Sequence, residues 1–177
     1  MNGSVKQEGR IRHSRLHAGR PLLALFATVG LGGATVAGCR PDSASAVQNE
    51  TWVATLVGTR EVPPVVTTAT GSAIFTLSGR TVAYTIMATG FSTPLTVGHV
   101  HLGGAGVVSV VIVPFAIAAQ SGTVASGTID LSVPVTFANV TISGDSLRTL
   151  FGAGQAYVNL HSAGYPGGEI RGQIVRL

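Results

Sequence analysis

The sequence predicts an all-β domain, a Greek-key, immunoglobulin-like β-sandwich of about seven to nine strands with at most one short helix. Two observations carry that prediction. Apolar residues alternate with polar or small ones at a period of two over segments rich in threonine and valine, the pattern of strands with one face in a core. Turn signals recur between them, at Gly58, Ser78-Gly79, Gly103-Gly104, Gly122, Ser143-Gly144 and Pro166-Gly167-Gly168, at the spacing expected of short antiparallel strands.

Taken in order, Trp52, Ala54 and Leu56 form the first inward row, and Trp52 is assigned to the core. Glu61-Val62-Pro63-Pro64 marks an edge or crossover, because two prolines do not fit a central strand. Ala73, Phe75 and Leu77 form the next row, then Val82, Tyr84 and Ile86. The run Val107–Val113 is almost wholly apolar and reads as a strand covered on both faces. Ile129 and Leu131 flank Asp130. Asp145–Phe151 is the helical candidate, with Asp145 as N-cap, Leu147, Leu150 and Phe151 on one face, and Gly152 as its stop. Ala156, Val158 and Leu160 form another inward row, and Ile170 and Ile174 close the pattern.

The domain occupies residues 51–177. Ahead of it, residues 1–20 carry Lys6, Arg10, Arg12, Arg15 and Arg20, and residues 21–38 are apolar and small. A basic segment, an apolar segment and small residues at the exit predict a secretory signal over residues 1–38. A permanent membrane helix is the weaker reading: Gly30, Gly32 and Gly33 interrupt the run, whose length of about 18 residues is at the lower limit for spanning. Val36-Ala37-Gly38-Cys39 resembles the bacterial lipobox, which implies cleavage before Cys39 and lipid on its sulfur and amino group. Cys39 is the chain's one cysteine and so forms no internal disulfide. Residues 39–50 are small and polar and read as the lipidated cysteine and a flexible tether. The expected location is the cell membrane or outer membrane, through lipid on Cys39, with the domain facing the periplasm or exterior.

The basic pI of about 10.0 belongs to the leader. From Cys39 onward six arginines meet six acidic residues and there is no lysine. That balance removes the electrostatic footprint of a nucleic-acid-binding protein. No Gly-x-Ser-x-Gly elbow, acid/base carboxylate pair or phosphate-cradling loop is present, so the chain reads as a non-enzyme.

Beyond the leader the histidines are His99, His101 and His161. His99 and His101 are two apart and share a face if their segment is a strand. Three neutral imidazoles suit copper or zinc, with Glu169 as a further ligand or as a group orienting a ring. A polar network of imidazoles on backbone carbonyls or carboxylates is the other use of the same residues. Glu169 and Arg171 are also two apart, so Arg171 pairs with Glu169 or Glu61, or offers its fork to a carboxylate or sulfate ligand. Asn159 either closes a loop or orients a ligand.

Several segments together resemble the CHRD domain, a module first named in a developmental protein and found in many exported bacterial proteins. They are Trp52–Gly58, Glu61–Val65, Gly71-Ser72-Ala73, Gly98-His99-Val100-His101-Leu102-Gly103, Ala156–His161 and Tyr165–Ile174. The resemblance implies a secreted or surface β-rich domain that binds an extracytoplasmic protein or small ligand, or serves structurally. His99-Val100-His101 is also similar to the paired copper ligands of copper/zinc superoxide dismutases, with His161 in the place of a later ligand. The bridging histidine, the zinc loop and the disulfide of those enzymes have no counterpart here. That resemblance therefore implies common architecture at most, not dismutase activity.

Overall fold

The computed structural model describes residues 49–177. The signal segment, Cys39 and the tether up to residue 48 lie outside the described residues. The first strand already begins at Glu50, one residue earlier than the sequence reading placed the domain.

The elements run β1 (Glu50–Val57), a 3-10 turn (Gly58–Arg60), β2 (Thr70–Ser78), β3 (Thr81–Thr89), β4 (Leu95–Leu102), β5 (Val111–Phe115) and β6 (Gly122–Asp130). There follow β7 (Val135–Phe137), β8 (Val140–Ile142), α1 (Gly144–Gly152), β9 (Ala156–Ser162), β10 (Ile170–Gln173) and β11 (Val175–Arg176). The all-β prediction with one short helix holds. Nine strands belong to one antiparallel sheet, ordered β5-β4-β9-β10-β1-β2-β3-β6 with β11 also on β1, while β7 and β8 form a separate hairpin. The sheet is nearly closed into a barrel. Its free edges, β5 and β6, are consecutive in the chain, and the Ala118 N–H reaches the Val124 carbonyl at 2.8 Å across the seam. Near-closure leaves little of the unpaired edge that an open sheet exposes.

The core is the inner face of this sheet. Trp52, Ala54 and Leu56 of β1 meet Phe75, Ala73 and Gly71 of β2 in register, and β3 adds Val82 and Ile86. Val100, Val158, Leu160 and Ile170 supply the β4, β9 and β10 side. Strand alternation puts each of these rows on one face, and the predicted rows are the buried ones, save Tyr84, which is half-buried. Gly172 is required by a close approach: a Cβ there would lie 2.3 Å from the Thr55 carbonyl oxygen.

The helix differs from its prediction at the start. Ser143, not Asp145, is the N-cap, its hydroxyl accepting the Ser146 N–H at 3.1 Å. Asp145 sits in the first turn, where a negative charge faces the positive end of the helix dipole. Leu147 and Phe151 are buried, with the Phe151 ring edge-on to Trp52 at 5.6 Å and to Phe75 at 5.2 Å. Two turns are too few to stand alone in water, so this aromatic contact fixes α1 to the barrel. Arg148 ties the outer side of the helix to Glu50, donating from Nε at 2.7 Å.

Val107–Val113 corrects the sequence reading. Only its last part is strand; Val107, Val108 and Val110 lie in a loop and are 49%, 68% and 47% exposed. Positive φ at Gly103 and Gly106 turns the chain away from the sheet. Some of the loop's backbone groups bond to backbone, among them the Val110 carbonyl, which accepts from Leu102 N–H at 3.0 Å; others go to side chains on the sheet. Among the described residues no helix is long and apolar enough to cross a membrane.

Candidate metal centre

Every residue of β9 is buried, although the strand has only one face on the core. The other face carries Tyr157, Asn159 and His161, flanked by His99 and His101 of β4 and by Arg171 and Gln173 of β10. Loops fold over this outer face and make a second, polar layer. The 103–110 loop offers the Ser109 carbonyl to His101 Nδ1 at 2.9 Å, the Ser109 N–H to the Tyr157 hydroxyl at 3.2 Å and the Gly104 carbonyl to Arg171 at 3.0 Å. It also offers the Gly103 carbonyl to Gln173 at 2.9 Å. The turn after β9 gives the Pro166 carbonyl to His161 Nδ1 at 2.9 Å.

Register explains how the histidines meet. His101 is directly opposite Tyr157, and their rings stack at 4.8 Å with planes 10° apart. His99 is opposite Asn159 and His161 is opposite Val97. His99 and His161 are therefore diagonal neighbours, within reach of long side chains. Their Nδ1 and Nε2 atoms are 3.3 Å apart. One nitrogen from each of His99, His101 and His161 lies within 4.8 Å of the other two.

The hydrogen bonds set the ring states. Carbonyls accept from His101 Nδ1–H and His161 Nδ1–H, which leaves each Nε2 as a lone pair. His101 Nε2 is buried and has no hydrogen-bond partner among the described residues. Burial lowers the pKa of all three, and for His99, with the two neighbouring imidazoles adding to it, the value falls to about 4. At neutral pH all three rings are uncharged, the form that ligates a metal.

These residues fit a metal ion. Two bonds of about 2.0–2.1 Å at a tetrahedral angle hold their nitrogens about 3.3–3.4 Å apart, and His99 and His161 already have that separation. His101 completes the set, one of its nitrogens lying within 4.8 Å of the others. Its unpartnered, buried nitrogen is the feature a plain polar network leaves unexplained. His99 is half-buried, 6.4 Å from the Phe137 ring of the β7–β8 hairpin, and is the most accessible of the three.

Glu169 is fully buried, but its carboxylate accepts from the Thr67 and Ser162 hydroxyls, not from a histidine ring. The ring-orienting groups are the backbone carbonyls of Ser109 and Pro166. Arg171 makes neither of the expected ion pairs: among the described residues no carboxylate is at ion-pair distance from it. Its guanidinium lies 3.3 Å over the Tyr157 ring, a cation–π contact. Glu61 is buried near it; desolvation lifts its pKa to about 7 against the opposing effects of Arg171, Asn159 and the Val62 backbone. Asn159 Nδ2 donates weakly to Glu61 Oε2 at 3.4 Å. Gly168, at φ 125°, lets the Tyr165–Gly168 turn pass these two: a Cβ there would be 2.6 Å from the Asn159 amide and 2.9 Å from Glu61 Oε1.

Sequence reasoning missed Ser109, Tyr157 and Phe137. Tyr157 was readable, since it shares the odd-numbered face of β9 with Asn159 and His161. The Ser109 and Pro166 carbonyls carry no side-chain signal.

The family model of the CHRD domain matches residues 52–174. No curated protein and no solved structure matches.

Proposed function

The chain belongs to the CHRD family, and from that premise we propose that its domain is a metal-binding module of the cell envelope. The observation that carries the reading is the convergence of His99, His101 and His161, with two ring N–H groups on carbonyls and a buried, unpartnered His101 nitrogen. An all-imidazole set takes copper(II) more tightly than zinc(II), which follows it in the affinity order. The role is holding an ion, not catalysis. The module hangs from lipid on Cys39, beyond the tether, facing the periplasm or exterior.

The test is equilibrium dialysis of the untagged full-length protein, in detergent, against copper(II) and then zinc(II). One ion per chain is expected, with a rise in unfolding free energy of about 2.7 kcal/mol at a hundredfold excess over Kd. Failure to retain either ion overturns the metal reading. The anchor is tested separately. Cys39→Ser is expected to move the protein out of the membrane fraction or to block its maturation, and unchanged membrane retention contradicts lipidation.

A second reading, a binding or structural module whose outer face takes a protein partner, is favoured by the exposed Val107, Val108 and Val110 on the loop over the site. It predicts the same membrane attachment and no bound ion.

A further inference from the structure

A cavity of about 540 Å³ opens on the outer face between β1, β10 and the 103–110 loop. That volume is in the range of small-molecule pockets. Arg171 and Glu61 line it and are only 2% and 6% exposed. Each keeps hydrogen-bonding capacity that the described residues do not use. Arg171 donates to one carbonyl and lies on Tyr157, yet no carboxylate among the described residues is at ion-pair distance. Glu61 Oε1 is buried with no hydrogen bond. Arg171 and Glu61 act on each other only from beyond ion-pair distance, and buried polar atoms are ordinarily satisfied.

We propose that this cavity binds an organic monocarboxylate with a short apolar body, its carboxylate held by Arg171. The guanidinium fork matches a planar carboxylate. Val53, Val62 and Val175 line the same space and give the apolar body a place to lie. Arg60, exposed and also lining it, adds positive charge. Burial favours the protonated form of Glu61, and in that form it does not repel such a ligand. The apolar lining makes phosphate a poor occupant. The site is separate from the histidine cluster and stands whether or not that cluster holds an ion.

The experiment is calorimetric titration of the metal-free full-length protein with hexanoate, hexan-1-ol and inorganic phosphate. Metal-free protein keeps the carboxylate from binding to an ion at the histidines. Hexanoate is expected to bind saturably and the other two not. Arg171→Gln is expected to weaken hexanoate at least tenfold. Because Arg171 is buried, Ala105→Trp provides a second variant: Ala105 is exposed and lines the cavity, so the indole blocks it without entering the core, and binding is lost at an unchanged unfolding midpoint. Absence of hexanoate binding overturns the proposal. So does equal binding of hexan-1-ol, phosphate binding in place of hexanoate, or hexanoate affinity unchanged in Ala105→Trp.

Discussion

His99→Ala is expected to weaken copper(II) and zinc(II) binding by more than about 100-fold, since loss of an outer orienting group alone costs about 10–100-fold. The metal-free domain should keep its stability to within about 1 kcal/mol. The reason is local: His99 is half-buried and its one ring contact within hydrogen-bond distance is His161. His101→Ala should remove metal affinity to the same degree but also destabilise the metal-free fold by about 1 kcal/mol, because the half-buried Ser109 carbonyl loses its donor. Competition against a chelator of known affinity gives the first quantity and urea unfolding the second. Wild-type affinity in both variants would show that the cluster is a polar network only.

Phe151→Ala is the substitution expected to cost the fold most, about 3–5 kcal/mol. The ring is 1% exposed and packs edge-on against both Trp52 and Phe75. Its removal leaves a void under a two-turn helix that has little stability of its own. Trp52 is the one tryptophan in the chain and stands beside the void, so its fluorescence reports the urea transition directly. Because Phe151 belongs to the inner face and the histidines to the outer one, molecules that remain folded should bind metal as the wild type does. A loss below about 1 kcal/mol would mean that α1 is not held by this contact.

The inner face of the barrel was legible because burial there follows a period of two. Trp52, Phe75, Ile86 and Leu160 each sit in an alternating row, and each is fully buried. The outer layer was not legible. Tyr157, Asn159 and His161 alternate with core residues as solvent-facing positions do, yet loops bury them. Val107, Val108 and Val110 have the composition of a strand, yet Ser109 between them spends its backbone hydrogen bonds on Tyr157 and His101. Hydrophobicity alone does not register that exchange. The pair His99 and His101 was visible from spacing, but the approach of His161 depends on β4 pairing with β9, a non-local register. Glu169 looked available as a charged neighbour of the site; two hydroxyls from elsewhere in the chain occupy it.

The most direct measurement is X-ray absorption at the metal edge of the ion-loaded protein. Three imidazole nitrogens at about 2.0–2.1 Å are expected, falling to two in His99→Ala. A first shell of oxygen or sulfur, or one unchanged in His99→Ala, would contradict a three-histidine centre.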